Sequence, residues 1–205
     1  YGQFFFNEMM KISKVIEPLA SKVVTTANRY ENQEAYREIW NGRNFGNETA
    51  RRQLEKALEN LKEFGFQNPE PLEKGGVDLR GVVLVKLFLQ GIDLHKANLD
   101  AAIIREVHFE GANFDGAKLT GTNCVFSRFD SADCSGAHFN GADCEYAHFD
   151  GANCSLAYFK GADCRKAHFD GAVCLVAHFD GADCRETKFL DGVILKNSSF
   201  YGADC

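Results

Sequence analysis

Residues 141–160 read GADCEYAHFDGANCSLAYFK, four five-residue units in which a small residue, a polar or aromatic residue and a Cys or Phe recur in fixed order. The same spacing extends over residues 77–205 and places Leu, Ile, Phe or Cys at every fifth position from Leu79 to Phe189. A fixed repeat of this kind determines the architecture before any local motif does. A period of five matches neither the 3.6-residue period of a helix nor the two-residue period of a strand.

A square coil accommodates the five-residue period. If each unit forms one side, four units make a turn of about 20 residues, and successive turns stack at the strand spacing of about 4.8 Å. Backbone groups then pair with the turns above and below, which satisfies the polar main chain. Glycine recurs at the corner, as at Gly111, Gly141 and Gly161, where it tolerates a left-handed backbone. The sequence therefore predicts a mostly β solenoid of about 26 units, about 30 Å long.

Individual units resemble those of a known family. Gly-Ala-Asn-Phe-Asp at 111–115 and Gly-Ala-Asp-Cys-Glu at 141–145 are similar to the units of pentapeptide-repeat proteins, whose motif is A(D/N)LXX. The resemblance covers residues 77–205 and implies a right-handed quadrilateral β-helix. This chain departs from the family at the central position, where Cys replaces Leu or Phe in alternate units. The resemblance is specific for the fold and says little about function.

The square coil predicts how the interior is filled, because residues 20 apart share a side. Phe149 and Phe169 then stack in one inward column, and Phe159 and Phe179 stack in the opposite column. Cysteines fill the two remaining walls. Alternating large and small side chains in this way can pack an interior without voids.

All eight cysteines occupy the inward central position: Cys124, Cys134, Cys144, Cys154, Cys164, Cys174, Cys184 and Cys205. Their uniform spacing does not resemble the C-x-x-C spacing of zinc sites, and disulfide frameworks are typical of short secreted chains. We predict buried, reduced thiols that act as small hydrophobic side chains, and hence a cytoplasmic, reducing compartment. Disulfides, redox chemistry and metal ligation are the alternatives.

Outward positions carry histidines and acids. His148 and His168 each precede a central Phe and are predicted to be stacked neighbours, beside a parallel column of Asp130, Asp150 and Asp170. Solvated columns of complementary charge are the simplest interpretation, and we predict neither a metal nor a cofactor. A pH-sensitive or metal-binding strip is the alternative, because imidazole titrates near neutral pH. These five residues are also a candidate partner surface.

The part of the chain before the repeats lacks the five-residue period. Apolar residues recur at helical spacing in 7–30 and 48–64, and 33–41 suits a short helix between them. We predict a small α-helical N-terminal region over 1–66, followed by a linker over 67–76.

Charge and motifs exclude several classes of function. The net charge of −6 lies entirely on residues 77–205, which carry 18 acidic and 12 basic side chains. This balance disfavours nucleic-acid binding, which needs a basic footprint. The sequence has no Ser-His-Asp or Cys-His arrangement and no phosphate-binding loop, so it predicts no enzyme. The apolar stretches are too short for a transmembrane segment.

The predicted function is a non-catalytic scaffold or protein–protein binding module that presents a rigid rod surface to a partner. One alternative is a DNA-mimicking protein that binds gyrase, and another is a secreted bacterial effector. Family members that mimic DNA usually add loops and a C-terminal dimerising helix, and residues 77–205 contain neither.

The C-terminal turn ends on apolar residues, Phe200 and Tyr201. Exposed edges of this kind recruit other chains, so we expect further chain beyond Cys205 or another molecule, such as a second copy docked end to end, to cover them. One extra residue is also predicted within 190–192, because Leu195 fits the inward position better than Ile194 does.

Overall fold

The computed structural model describes residues 76–205 and, before them, Arg52, Leu54 and Lys56. These three residues are helical, and Leu54 is buried in the same hydrophobic cluster as the first turns of the repeats. The other residues of the predicted N-terminal helices, and the predicted linker apart from Gly76, lie outside the described residues. Within the described part of the chain, no helix has the length and apolar character needed to cross a membrane.

The repeats form a four-sided coil. Each unit contributes one residue that forms parallel bridges with the turn above and with the turn below, beginning at Asp78 and ending at Asp204. All but the last three bridges join residues 20 apart, which is the predicted length of one turn. Each side is so short that the pairing consists of isolated bridges rather than extended strands. The predicted β-solenoid is therefore confirmed.

We number the four sides in chain order by their bridge-forming residues. Side 1 begins at Asp78, side 2 at Val83, side 3 at Phe88 and side 4 at Asp93, and each continues in steps of 20 residues. The residue after each bridge position points inward, so it is the central residue of the unit. The bridge residue and the corner residues face outward.

Tight turns form the corners. At the corner between sides 3 and 4, the backbone N–H of Ala112 donates to the carbonyl of Phe109 (2.9 Å), and Gly111 has a φ of 66°. A positive φ at this third residue is what a type II turn requires. The same position has a positive φ at successive corners throughout the repeats, whether it is glycine or another residue. This recurrence explains the spacing of the glycines.

The interior has the predicted columns. Phe149 stacks between Phe129 and Phe169 on side 3, with ring centroids 4.8 Å away in both cases. It also meets Phe139 and Phe159 of side 1 edge to face, at 5.4 and 5.5 Å. Rings therefore stack along the coil and meet at right angles across it, and both arrangements are favourable for aromatic pairs.

Two polar residues are fully buried among the small inward positions. The hydroxyl of Thr122 donates to the carbonyl of Leu99 (3.0 Å), and that of Ser127 donates to the carbonyl of Ile104. Each hydroxyl is therefore satisfied within the coil, as buried polar groups must be.

Seven of the eight cysteines are buried, as predicted, and Cys205 is exposed. The sulfurs of Cys124 and Cys144 lie 3.2 Å apart on successive turns of side 2. On side 4, the neighbouring Cys134 thiol and burial raise the pKa of the Cys154 thiol. A buried thiol with a raised pKa holds little thiolate, which is the reactive form. The reduced state of these thiols stays a prediction.

Thiol labelling of the native chain is expected to modify Cys205 rapidly and the seven buried cysteines only as fast as the coil unfolds. The reason is that a reagent can reach only the exposed sulfur. Mass spectrometry of the labelled protein gives the number and position of the adducts, and a Cys205→Ser variant serves as the control. Rapid labelling of Cys144 or Cys164, or fewer than eight free thiols after denaturation, would contradict this.

The predicted extra residue lies at the last corner between sides 3 and 4. The bridges Val173–Ile194, His178–Ser199 and Asp183–Asp204 join residues 21 apart, one more than elsewhere. The turn here is closed by the N–H of Val193 and the carbonyl of Leu190 (3.3 Å). Ile194 is 45% exposed and Leu195 packs against the core, so the predicted register is confirmed.

Candidate functional site

Two histidines on side 3 are held next to each other by the backbone. His148 and His168 form a parallel bridge, and the carbonyl of His168 accepts a hydrogen bond from the N–H of Phe149 (2.7 Å). Their ring centroids are 4.4 Å apart with an interplanar angle of 35°. The predicted pairing of these two side chains on one side is therefore present in the structure.

Asp150 joins this pair from the corner. Its Oδ2 lies 3.4 Å from Nδ1 of His148 and 3.9 Å from Nδ1 of His168. Its Oδ1 accepts a hydrogen bond from the backbone N–H of Asp170 (3.0 Å). One carboxylate oxygen is thus fixed by the next turn, and the other faces both imidazoles. We call His148, Asp150 and His168 the histidine cluster.

The other two predicted acids have different roles. Asp170 accepts a hydrogen bond from the backbone N–H of Leu190 (2.9 Å), which repeats the contact that Asp150 makes one turn earlier. Asp130 is paired with Arg128, whose Nε donates to it at 2.9 Å. This hydrogen bond raises the pKa of Arg128. The structure therefore groups the two histidines with Asp150 and pairs Asp130 with a guanidinium.

The electrostatic surroundings of His168 favour the neutral imidazole. Burial first, and then the positive charges of His148 and Lys188, lower the pKa of this side chain. The carboxylates of Asp150 and Asp170 act in the opposite direction but do not outweigh these effects.

Phe200 and Tyr201 lie on a different part of the coil, at side 1 and its corner with side 2. The ring of Phe200 stacks on Phe179 at 4.8 Å and packs against the core. Tyr201 is 88% exposed. These two residues therefore do not form one surface with the histidine cluster on side 3, and their role in end-to-end docking stays a prediction.

Sequence reasoning missed an apolar surface on side 4. Seven large hydrophobic side chains are exposed among the described residues, and five of them lie on this side or at its corners. We call these five the apolar patch: Leu156, Leu175, Val176, Leu190 and Ile194. Backbone pairing places Leu156 beside Leu175, because the N–H of Leu156 donates to the carbonyl of Leu175 (2.8 Å), and Ile194 bridges Val173, two residues before Leu175. Leu190 lies at the other corner of this side.

In the patch, apolar residues stand where other turns have Asp or Asn side chains that accept a backbone hydrogen bond and so stabilise the corner. On the same side, Asp133 accepts a hydrogen bond from the N–H of Ser135 (3.1 Å), and Asn153 accepts one from Ser155 (3.2 Å). The next residue in this column is Val173, whose side chain has no hydrogen-bond acceptor. Its presence in the unit at 171–175, where the Gly-Ala-x-Cys units at 141, 151, 161 and 181 have Asp or Asn, is the sequence signal that could have located the patch.

Backbone conformation at the patch is also costly. Val176 has a φ of 56° and Leu156 a φ of 59°, whereas Gly116 and Gly136 occupy the preceding turns of the same corner. The left-handed region costs a residue with a Cβ about 1–2 kcal/mol, and a β-branched residue there is a clear outlier. Residues such as Tyr146 and Lys166 have the same positive φ at other corners, so the conformation is general to the coil, and Val176 is distinguished by its β-branched side chain.

The acids of side 2 are largely neutralised within the coil. Arg165 lies 2.6 Å from Asp163 and 3.6 Å from Asp183 of the next turn. Arg185 in turn lies 2.6 Å from Asp183. The last four described turns of side 2 therefore carry a column of aspartates from Asp143 to Asp204, and the two arginines at the adjoining corner pair with it.

Comparison with protein families gives a match to one family. The model for pentapeptide repeats matches with eight copies over residues 75–111, 108–143, 137–173 and 157–191, which together span more than half of the chain. No curated protein matches.

Several solved structures are similar to the repeats. A pentapeptide repeat protein from the cyanobacterium Cyanothece 51142 is 22% identical and covers 60% of this chain and 87% of its own, with a TM-score of 0.32. Full-length QnrB1, a plasmid-mediated fluoroquinolone resistance protein, is 15% identical over 61% of this chain and 84% of its own, with a TM-score of 0.22. A pentapeptide repeat protein from the thylakoid lumen of Arabidopsis thaliana is 25% identical over 61% and 62%, with a TM-score of 0.18. With TM-scores this low, these similarities carry no argument about function.

Proposed function

The chain belongs to the pentapeptide-repeat family, whose fold is a right-handed quadrilateral β-helix, and we propose that it is a non-catalytic module that binds a protein partner through side 4. The apolar patch is the observation that carries this proposal. Exposed apolar surface with a polar rim is typical of protein interaction sites. Here the rim is supplied by Asp170 and the histidine cluster, which lie across the shared corner on side 3.

The backbone of this surface is already ordered before binding. Each patch residue is a bridge residue or lies two positions from one, and Leu156 and Val176 both donate their N–H groups to the following turn. A preorganised surface loses less conformational entropy when a partner binds. The patch therefore has both the composition and the rigidity that a docking surface needs.

A DNA-mimicking protein that binds gyrase is the second candidate, and the distribution of charge gives it less support. Mimicry of a duplex calls for a continuous row of negative charge. Side 2 has such a row over four turns, from Asp143 to Asp204, but Arg165 and Arg185 at the adjoining corner pair with Asp163 and Asp183 and so neutralise part of its charge. No observation favours a secreted effector. The seven buried thiols are consistent with the reducing, cytoplasmic location that we propose.

A double variant, Leu156→Asn with Val176→Asn, tests the patch without weakening the coil. Asparagine occupies the next turn of this corner at Asn197, with a φ of 62°, and it tolerates a left-handed backbone better than leucine or valine. We expect the free energy of unfolding to stay the same or to rise by about 1 kcal/mol. We expect a stoichiometric partner captured by the native chain to bind the double variant at least tenfold more weakly.

Phe126→Asn is the matched control, because Phe126 is also exposed and has a φ of 60° at a corner away from the patch. It should retain the partner. If the double variant binds the partner as tightly as the native chain does, side 4 is not the docking surface. If the captured partner is a type II topoisomerase that DNA displaces, mimicry replaces the present proposal.

A further inference from the structure

We propose that the histidine cluster binds a divalent transition-metal ion, with Zn²⁺ as the expected occupant. Two imidazole nitrogens and one carboxylate oxygen, from His148, His168 and Asp150, lie within 4.8 Å of one another. Three such ligands with a fourth position open to solvent are a common donor set for zinc. The proposal is independent of the partner-binding function, since it concerns side 3 alone.

The spacing of the ligand atoms suits a small ion. With metal–ligand bonds of about 2.0–2.1 Å, two ligands of a tetrahedral zinc ion lie about 3.4 Å apart. Nδ1 of His148 is already 3.4 Å from Oδ2 of Asp150. Nδ1 of His168 is 3.9 Å from the same oxygen, so this ring has to move about half an ångström closer to the carboxylate to reach the tetrahedral spacing.

The carboxylate has the support that a metal ligand usually has. The N–H of Asp170 holds Oδ1 of Asp150 at 3.0 Å, which leaves Oδ2 directed towards the imidazoles. Hydrogen bonds that orient the ligands in this way raise metal affinity. The backbones of the two histidines are held side by side by one bridge between adjacent turns. Binding an ion therefore requires rotation of the imidazole side chains towards a carboxylate oxygen that is already oriented.

Besides Asp150, two further carboxylates lie near the cluster, and the positive charges next to it on side 3 are those of Arg128 and Lys188. Asp170 lies one turn beyond Asp150 in the same corner column, and Asp130 lies one turn before it. The nearest guanidinium, that of Arg128, is engaged by Asp130 and by Glu110 at 3.4 Å.

Equivalent positions elsewhere on the coil show what makes this cluster different. One turn earlier on side 3, Arg128 follows His108, and a guanidinium cannot ligate a metal. On side 1, His138 is bridged to Tyr158 and the corresponding corner residue is Asn140. Only His148 and His168 are successive histidines among the bridged pairs of the described residues.

The coil itself supplies variants that should fold. Tyr158 occupies on side 1 the position that His168 occupies on side 3, and it stacks on His138 at 4.7 Å. Asn140 occupies the position of Asp150, and its Oδ1 accepts the N–H of Lys160 at 3.3 Å. His168→Tyr and Asp150→Asn therefore replace metal ligands with residues that the same fold already accepts.

Isothermal titration of the full 205-residue chain with Zn²⁺ tests the site, in a Cys205→Ser background that removes the exposed thiol. We expect one equivalent to bind saturably at micromolar to submillimolar Zn²⁺. His168→Tyr and Asp150→Asn should each weaken binding at least about 100-fold, beyond the 10–100-fold effect of losing an outer hydrogen-bond partner. His138→Tyr, which removes a histidine outside the cluster, should bind as the background does. Circular dichroism confirms that each variant is folded.

Co²⁺ supplies an independent readout of the ligands. The expected spectrum has the visible bands of a nitrogen- and oxygen-bound ion and no thiolate-to-metal charge-transfer band. A charge-transfer band would assign the ion to cysteine and overturn the proposal. So would the absence of saturable Zn²⁺ binding, retention of full affinity in His168→Tyr and Asp150→Asn, or an equal loss in His138→Tyr.

Discussion

Replacing Phe149 by alanine is expected to lower the free energy of unfolding by about 3–5 kcal/mol. The ring lies between Phe129 and Phe169, with centroids 4.8 Å away on both sides, and it also meets Phe139 and Phe159 edge to face. Its removal leaves a cavity that four aromatic neighbours held by bridged backbone cannot fill. Chemical denaturation followed by circular dichroism measures the loss.

Phe126→Ala is the control for this prediction. Phe126 is 48% exposed and stacks only on Tyr146, with centroids 4.7 Å apart. We expect it to cost about 1 kcal/mol or less, which is the range for one aromatic pair. If the two variants lost similar stability, the assignment of Phe149 to a close-packed interior would be wrong.

Replacing Cys154 by serine is expected to cost about 1–3 kcal/mol, and more than its replacement by alanine. The Cys154 sulfur is fully buried between the thiols of Cys134 and Cys174 in the side 4 column. A C–O bond is shorter than a C–S bond, so the hydroxyl of serine is drawn away from these weak partners. It then remains poorly hydrogen-bonded in an apolar wall, where an unmade hydrogen bond is costly.

The two Cys154 variants are compared by their denaturation midpoints and by the slope of the transition. A lower midpoint at constant slope reports a loss of stability in the native coil. Ser127→Ala is compared with Cys154→Ser, because it removes a buried hydroxyl that is hydrogen-bonded, to the carbonyl of Ile104, instead of adding one that is not. A Cys154→Ser variant as stable as the native chain would show that the thiol column can accommodate a hydroxyl.

The two surface proposals meet at one corner of the coil. The carboxylate of Asp170 accepts the N–H of Leu190, a patch residue, while its own N–H holds Asp150 of the histidine cluster. Zinc binding and partner binding can therefore be measured separately on the same chain, since the variants of side 4 leave the three metal ligands intact. A dependence of partner affinity on Zn²⁺ would show that the two sites act together.

The sequence by itself determined the coil and its interior. A five-residue period repeated over residues 77–205 fixes which residues point inward, because each side of a square turn has room for one central side chain. The columns of Phe and Cys follow from this period by counting in steps of 20, and the single extra residue before Ile194 was found in the same way. These features depend on local backbone geometry and on the exclusion of water from apolar side chains, which a single sequence records directly.

Only the tertiary structure decided how the outward side chains meet. The sequence places His148 and His168 in one column and Asp150 in the next. The direction in which the two carboxylate oxygens of Asp150 point, however, depends on the N–H of Asp170 one turn away. The apolar patch likewise combines residues from three turns, and its members are separated by up to 38 positions in the chain, from Leu156 to Ile194. Outward side chains are free to adopt several rotamers and are not forced into place by a repeating core. Their contacts are therefore fixed by the stacking of specific turns, which a periodic pattern does not describe.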